Sequence, residues 1–211
     1  MKKIATITFH AAYNYGSNLQ AYALQEHAKK ICNNNCMYEI INLRNEKQKE
    51  LNAIYRKRKG IKPLIKNIIT LFYNRKIEVK CNRFENFITE NLNITREYSN
   101  LEELKKANFD YDYYISGSDQ LWNLNAYDFD WANYLEFVNN GKKISYAASF
   151  GPKQLFWSED EKKRIANDLK KYDCISVREQ ASFDHVKALT GIEPEINVDP
   201  TMLLTKEEWE N

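Results

Sequence analysis

The sequence lacks a surplus of either charge. Lysine and arginine together number 31, against 29 aspartates and glutamates, so the formal net charge at pH 7 is only +2. A protein whose main partner is nucleic acid normally carries a basic surplus, because attraction to phosphates dominates that kind of binding. The near balance therefore argues against nucleic acid as a partner.

Long apolar runs are also missing. No stretch approaches the roughly 20 apolar residues that a membrane-spanning helix needs. The apolar segment after Lys2 and Lys3 is too short, before His10 interrupts it, to be a signal peptide. Hydrophobic residues make up 43% of the chain, which is typical of a soluble globular protein. We therefore expect a cytoplasmic protein.

Cysteine is scarce, and its spacing indicates neither a cross-link nor a metal site. The four cysteines are Cys32, Cys36, Cys81 and Cys174. Cys32 and Cys36 are separated by three residues of an asparagine-rich loop, which matches neither the redox C-x-x-C motif nor a standard zinc spacing. We expect free, reduced thiols and, because the histidines form no ligand spacing either, no metal site.

What the sequence does contain is an alternation of strand-like and helix-like segments. A β-rich run at 4–9 precedes a helical pattern that Ser17 or Asn18 can cap, and a second strand follows at 38–42. Later segments continue the alternation, with strands at 112–116, 143–149, 174–177 and 195–198 and helices at 159–171 and 180–189. This order predicts an α/β fold with a doubly wound, mostly parallel, Rossmann-like sheet.

A basic segment interrupts this alternation between about residues 44 and 106. It contains Arg56-Lys-Arg-Lys59 and a helix that Pro63 can begin, and a second helix follows with Phe84, Phe87 and Ile88. The first helix carries an apolar stripe of Leu64, Ile65, Ile68, Ile69 and Phe72. We interpret the segment as a helical insertion whose stripe packs on the sheet. The alternative is a peripheral contact with an anionic membrane, since basic amphipathic helices bind such surfaces.

Two polar loops that follow predicted strands are candidate binding sites. One holds Asn14-Tyr-Gly-Ser-Asn18, and the other is Gly117-Ser-Asp-Gln-Leu-Trp-Asn123. Open α/β sheets bind ligands beyond the carboxyl ends of their strands. An anion can bind backbone N–H groups of the first loop, although helix capping explains Ser17 and Asn18 equally well. This loop lacks the G-x-G-x-x-G spacing, so no dinucleotide site is predicted.

A set of short motifs spans nearly the whole chain. The motifs are Ile7-Thr-Phe-His10, Asn14-Tyr-Gly16, Leu19-Gln-Ala-Tyr-Ala-Leu24, Phe84-x-x-Phe87, Gly117-Ser-Asp-Gln-x-Trp-Asn123, Tyr146-Ala-Ala-Ser-Phe-Gly151, Ser176-Val-Arg-Glu179 and Asp199-Pro-Thr-x-Leu-Leu204. As an ordered set they resemble the polysaccharide pyruvyl transferase family. The resemblance implies two Rossmann-like domains facing a cleft, as in glycosyltransferases of the B type. We expect residues 1–211 to form the amino-terminal domain, with the second domain supplied by a further segment or a partner chain.

The resemblance also implies a reaction. Members of this family transfer the pyruvyl group of phosphoenolpyruvate to two hydroxyls of a cell-surface glycan, which forms a ketal. Phosphoenolpyruvate would be the donor substrate, no cofactor would be required, and the acceptor glycan can be lipid-linked. Two alternatives stay open at this point. They are a noncatalytic glycan-binding domain and a glycosyltransferase-like enzyme that uses another donor, such as a nucleotide sugar.

Three side chains are candidates for catalysis. Arg178 follows a predicted strand, and its planar guanidinium suits a carboxylate or phosphate, while an ion pair with Glu179 or a neighbouring aspartate is the structural alternative. Asp119 can accept a proton or a hydrogen bond from a sugar hydroxyl, or it can cap the turn that begins at Gly117. His10 ends the first strand and is a further candidate acid or base.

The remaining candidates would bind the substrate. Gln120 and Trp122 suit a sugar, through amide hydrogen bonds and ring stacking, although Trp122 would fit the core almost equally well. The full set of substrate-binding candidates is Asn14, Tyr15, Gly16, Ser17, Asn18, Ser118, Gln120, Trp122 and Ser149.

Overall fold

The computed structural model describes residues 1–54, 61–151 and 156–210, in which strands and helices alternate. The elements in chain order are β1 (Lys2–Ile7), α1 (Tyr15–Ile31), β2 (Cys36–Leu43), α2 (Glu46–Asn52), α3 (Ile61–Asn91), β3 (Ile94–Tyr98), α4 (Leu101–Lys105), β4 (Tyr113–Asp119), β5 (Lys142–Ala148), α5 (Glu159–Leu169), β6 (Ser176–Val177), α6 (Gln180–Thr190), β7 (Glu195–Ile196) and α7 (Lys206–Glu210). Short 3₁₀ turns lie at Trp131–Tyr134 and Pro200–Met202.

All seven described strands pair in parallel, in the order β3-β2-β1-β4-β5-β6-β7. The chain moves outward from β1 to β2 and β3, then returns to the other side of β1 and continues from β4 to β7. The order therefore reverses between β1 and β4, which is the topological switch point of a Rossmann-like sheet. The predicted α/β, doubly wound fold is confirmed. The likeness to half of a B-type glycosyltransferase stays a prediction.

Alternate strand residues supply two separate cores, one on each face of the sheet. Ala5 and Ile7 of β1 belong to one cluster with Leu169 of α5 and Val186 of α6. Ile4, which precedes Ala5 and points to the opposite face, belongs to the other cluster, which contains Ala21 and Leu24 of α1 and Ile88 of α3. Because side chains along a strand point to opposite faces, a strand of this kind needs helices on both sides.

The segment at 44–106, predicted to be a helical insertion, is not wholly helical. It contains β3, which pairs with β2 at one edge of the sheet. Of the five β3 residues only Tyr98 is buried, so the segment carries a weak hydrophobic alternation that did not reveal a strand. The two predicted helices form a single helix, α3, because no glycine or proline interrupts the chain between 64 and 91.

The predicted apolar stripe of α3 does not pack on the sheet at the two positions whose side chains are described. Ile65 is 52% exposed and Phe72 is 83% exposed. The side chains of Leu64, Ile68 and Ile69, and the basic run at 56–59, lie outside the described residues. Across the part of the chain that the structure describes, no helix combines the length and apolar content that crossing a bilayer requires.

Close approach of β4 to β5 requires a glycine at position 117. Its φ is +128°, and an added Cβ would lie 2.2 Å from the carbonyl oxygen of Tyr146. Gly191, at the end of α6, also has a positive φ of +79°, but a Cβ there would meet no atom within 4 Å. Comparing alanine substitutions at these two glycines therefore separates the cost of backbone strain from the cost of a steric clash.

We expect Gly117→Ala to lower the free energy of unfolding by about 3 kcal/mol, because strain and collision act together. Gly191→Ala is the control and should cost only about 1 kcal/mol, since strain acts alone. Urea unfolding followed by circular dichroism measures both values. Equal losses in the two variants would show that the contact with Tyr146 does not constrain position 117.

Candidate functional site

The polar loops after β1 and β4 meet at the switch point of the sheet. Ser17, in the first turn of α1, donates a hydrogen bond from Oγ to Oδ2 of Asp119 at 3.0 Å. Thr8, just after β1, donates from Oγ1 to the carbonyl oxygen of Ser118, also at 3.0 Å. The two loops that the sequence singled out are therefore joined by direct hydrogen bonds, although about 100 residues separate them in the chain.

Asp119 is a half-buried carboxylate at the carboxyl end of β4. Its Oδ1 accepts a hydrogen bond from the backbone N–H of Gln120 at 2.7 Å, while its Oδ2 accepts from Ser17. A carboxylate has about four acceptor positions, so each oxygen can still accept a hydrogen bond from a ligand. Asp119 thus has a fixed orientation together with remaining acceptor capacity, which is what binding a hydroxyl group requires.

The amino-terminal turn of α1 is capped by Asn14, not by Ser17 or Asn18 as predicted. The Asn14 Oδ1 accepts a hydrogen bond from the Ser17 N–H at 3.3 Å. Ser17 and Asn18 are buried in the first turn of the helix, where Ser17 contacts Asp119 and Asn18 donates to the carbonyl oxygen of His10. Asn14, Tyr15 and Gly16 are exposed at the edge of this turn.

His10 is not placed to touch a substrate. It is 1% exposed, and its ring lies between two acceptors, with Nδ1 3.1 Å from the Thr8 carbonyl oxygen and Nε2 3.0 Å from Asn42 Oδ1. Burial lowers the pKa of His10, and the hydrogen bonds to Asn42 and Thr8 offset part of that effect. The prediction of a catalytic acid or base at His10 is therefore corrected to a buried structural role.

His10 belongs to a polar network that the sequence did not reveal. Asn42 Oδ1 also accepts from Arg44 Nε at 3.2 Å, and the Arg44 guanidinium binds both carboxylate oxygens of Glu85, at 2.7 and 3.0 Å. Tyr13 donates to the same carboxylate at 2.8 Å. The network ties the loop after β1 and the end of β2 to α3. Its members lie far apart in sequence, so only the fold brings them together.

Arg178 lies at the same edge of the sheet, at the end of β6. Its backbone N–H donates to the carbonyl oxygen of Ala148, the residue of β5 that pairs with Asp119. Its guanidinium forms an ion pair with Asp199, Nη1 to Oδ2, at 3.1 Å, and approaches Glu179 at 3.7 Å. This is the structural alternative that the sequence left open. The side chain is nevertheless 29% exposed.

Besides Ser17 and Asn18, three further predicted substrate-binding side chains are buried, and they hold the loops together instead. Ser118 donates to the Ala147 carbonyl oxygen at 2.8 Å, and Ser149 accepts from the Gly151 N–H at 2.9 Å. Trp122 is fully buried and stacks on Tyr134 with 5.7 Å between ring centroids. The prediction that these three side chains bind substrate is corrected for this reason. For Trp122 the core alternative is confirmed.

Gln120 is the remaining predicted residue, and it is half-buried beside Asp119. Its Oε1 accepts a hydrogen bond from Asn123 Nδ2 at 3.3 Å. Gly151, with φ of +88°, allows this amide pair to lie against the backbone, because a Cβ there would be 2.8 Å from Gln120 Oε1. The Gln120 amide is thus positioned by the loop after β5 while its Nε2 can donate to a ligand.

Asp128 is a carboxyl group near this edge that sequence reasoning missed. Its backbone carbonyl accepts from Asn45 Nδ2 at 2.8 Å, which places it by the end of β2. Burial raises the pKa of Asp128, and the negative charge of Asp119 raises it further. Only its position in an aspartate-containing stretch, after the loop at Gly117, could have drawn attention to it.

The sheet edge thus assembles a carboxylate, an amide and a helix N-terminus at the switch point, with a guanidinium two strands away. No set of three side chains suited to binding a metal ion occurs among the residues that the structure describes. The model of one family, described as polysaccharide pyruvyl transferase, matches residues 14–211. The chain belongs to the polysaccharide pyruvyl transferase family. No curated protein and no solved structure gives a significant match.

Membership in this family indicates a transferase that acts on a polysaccharide acceptor. The matched range includes both loops of the switch point and the strand end at Arg178. In this pyruvyl transferase family member, the predicted site residues whose side chains remain accessible at the edge are Asn14, Tyr15, Asp119, Gln120 and Arg178.

The buried His10 gives a pH-dependent contribution to stability. Because its folded-state pKa lies below the ordinary value of 6.5, the unfolded chain binds more protons as the pH falls below 6.5. We expect the wild type to lose stability relative to His10→Gln between pH 7.5 and 5.5. The limiting slope is about 1.4 kcal/mol per pH unit.

Urea unfolding of both proteins at pH 7.5, 6.5 and 5.5 measures this difference, and ionisable groups common to both largely cancel. A difference that stays constant, or that increasingly favours the wild type at low pH, would contradict a lowered pKa for His10.

Proposed function

We propose that this protein transfers the pyruvyl group of phosphoenolpyruvate to two hydroxyl groups of a glycan, forming a ketal during synthesis of a cell-surface polysaccharide. The proposal rests on the Asp119 carboxylate, which Ser17 and the Gln120 N–H hold at the switch point of the sheet. The chain that carries this carboxylate belongs to the polysaccharide pyruvyl transferase family. A carboxylate with free acceptor positions at this edge suits an acceptor hydroxyl that must lose its proton.

The reaction forms two bonds from acceptor oxygens to the central carbon of phosphoenolpyruvate. The methylene carbon gains a proton and becomes a methyl group, and the bond from the central carbon to the phosphate oxygen breaks. Of the two protons that the acceptor hydroxyls lose, one balances the new methyl hydrogen and the other leaves with inorganic phosphate. No oxidant or reductant is consumed, so the chemistry needs acid–base groups and cations for the anionic donor.

Asp119 would accept the proton of an attacking hydroxyl, and Gln120 would donate an amide hydrogen bond to the same sugar. Arg178 would bind the donor's carboxylate or phosphate. Its Nη1 is already paired with Asp199, whereas its Nη2 donates to no partner among the described side chains. A guanidinium can bind two oxygens through parallel N–H groups, so the pair with Asp199 leaves capacity for a second anion.

Replacing Asp119 tests the acceptor side. We expect Asp119→Asn to lower kcat by about 100-fold or more, because the amide keeps the shape of the side chain but accepts no proton. Asp110→Asn is the control, since Asp110 is exposed near the opposite end of β4, where it pairs with Lys3. Phosphate release from phosphoenolpyruvate with a candidate glycan, measured on the full natural polypeptide, gives kcat. Unchanged kcat in Asp119→Asn would exclude the base role.

Replacing Arg178 tests the donor side. We expect Arg178→Met to lower kcat/KM for phosphoenolpyruvate by about 10- to 100-fold, since a charged hydrogen bond is lost, and Arg178→Lys to retain part of it. Lys187→Met is the control, because Lys187 pairs with Glu193 on an exposed surface. Turnover with nucleotide sugars, and none with phosphoenolpyruvate, would identify another donor. Glycan binding with no turnover of any donor would identify a binding module.

A further inference from the structure

We propose that the cavity between the first turn of α1 and the middle of α3 binds a sugar phosphate, and that this phosphate belongs to the acceptor glycan. The assignment to the acceptor rests on the proposed function, whereas binding of the sugar phosphate can be tested without it. The cavity has a volume of about 400 Å³, a size that suits a small ligand. Its lining residues are Tyr15, Asn18, Leu19, Lys76, Val79, Lys80, Arg83, Phe84 and Phe87.

The α3 side of the cavity carries three cations. Lys76, Lys80 and Arg83 recur at spacings of four and three residues, so they lie on one face of the helix. None of the three has a carboxylate within 4.0 Å among the described residues, whereas Lys3, Arg44, Lys49 and Arg178 each have one. Like charges at this spacing repel one another, and a phosphate group bound between them would relieve that repulsion.

The cavity also has an aromatic wall, to which α1 contributes Tyr15 and α3 contributes Phe84. Tyr15 is 72% exposed, and its ring lies 4.9 Å from that of Phe84, measured between centroids. Lys80 Nζ lies 5.7 Å from the Phe84 centroid, so the charged and aromatic walls are adjacent. A ligand that interacts with both the charged wall and the aromatic wall must combine an anionic group with a ring that has an apolar face. A sugar phosphate has both, whereas inorganic phosphate has only the first.

A buried polar atom in the lining also indicates a hydroxyl-bearing ligand. Asn18 is 2% exposed, and its Nδ2 donates to the His10 carbonyl oxygen. Its Oδ1 accepts no hydrogen bond from any residue that the structure describes. Buried side-chain oxygens normally have a donor. A sugar hydroxyl entering the cavity would supply one after a small movement of the lining.

The cavity and the candidate catalytic carboxylate are connected through a single helical turn. Asn18 lines the cavity, and the preceding residue, Ser17, donates to Asp119. A glycan bound by its phosphate at α3 would therefore extend past the amino-terminal turn of α1 toward the switch point. This position fits an acceptor, because its reacting hydroxyls must reach Asp119 while its phosphate stays away from the reaction.

Isothermal titration calorimetry of the full natural polypeptide with glucose 1-phosphate, in the absence of donor, tests the proposal. We expect binding at least about tenfold tighter than that of glucose or inorganic phosphate, because only the ester uses both walls. Phosphoenolpyruvate and phosphatidylglycerol vesicles without sugar are further probes. If any of these four binds the cavity as tightly as glucose 1-phosphate, the proposal is overturned.

Two double variants test whether glucose 1-phosphate binds in this cavity. We expect Lys80→Gln combined with Arg83→Gln to weaken glucose 1-phosphate binding at least about tenfold. Arg75→Gln combined with Lys163→Gln removes the same charge from exposed positions outside the cavity and should leave binding unchanged. Equal effects of the two pairs would mean that only the overall charge attracts the phosphate, which would overturn the proposal.

Failure of this proposal and failure of the proposed function give different results. If a neutral glycan is turned over with phosphoenolpyruvate but glucose 1-phosphate does not bind, the cavity assignment is wrong and the function stands. If glucose 1-phosphate binds as expected but phosphoenolpyruvate gives no turnover, the cavity remains a sugar phosphate site and the function is wrong.

Discussion

Parallel pairing of β1 with β4 is the constraint on which the candidate site depends. The pairing runs from Ile4 with Tyr113 to Ile7 with Ser116, and it brings the ends of two distant segments to one position on the sheet. The bonds from Thr8 to Ser118 and from Ser17 to Asp119 extend this alignment beyond the last paired residues. A shift of register between these strands would separate the carboxylate from the helix turn that orients it.

Local sequence pattern predicted the buried strands and the edge strand β7, but it missed the other edge strand, β3. The segments that became β1, β2, β4 and β5 carry strong apolar runs, and their order was sufficient to predict the sheet. The edge strand β3 was missed because its residues face solvent, so its apolar alternation is weak. Helix α3 was divided in two although no residue in it breaks a helix, which shows that apolar spacing alone is a poor guide to where a helix ends.

The candidate site was predicted at the level of loops but not at the level of side chains. Both loops reach the switch point, as expected of strand ends in this fold. Which of their polar side chains face outward could not be read from the sequence, because the same polar residue types occur both as buried hydrogen-bond partners and as exposed groups. Ser118 and His10 satisfy neighbouring backbone carbonyls, whereas Asp119, next to Ser118, stays partly accessible. Ser118 and Asp119 are consecutive residues at the end of β4, and consecutive side chains of a strand point to opposite faces of the sheet.

The ion pair between Arg178 and Asp199 has a consequence for the anion site that we propose at Arg178. Asp199 is itself held by the N–H and hydroxyl of Thr201, at 3.0 and 2.8 Å, so it cannot move aside without leaving those donors. An anion that binds the Arg178 guanidinium must therefore share it with the Asp199 carboxylate, whose position is fixed. Asp199 repels an arriving anion in proportion to its charge, as Arg178 attracts it, so the pair weakens the attraction that the guanidinium alone would exert. An anion at this position would therefore depend on additional donors from the neighbouring strand ends.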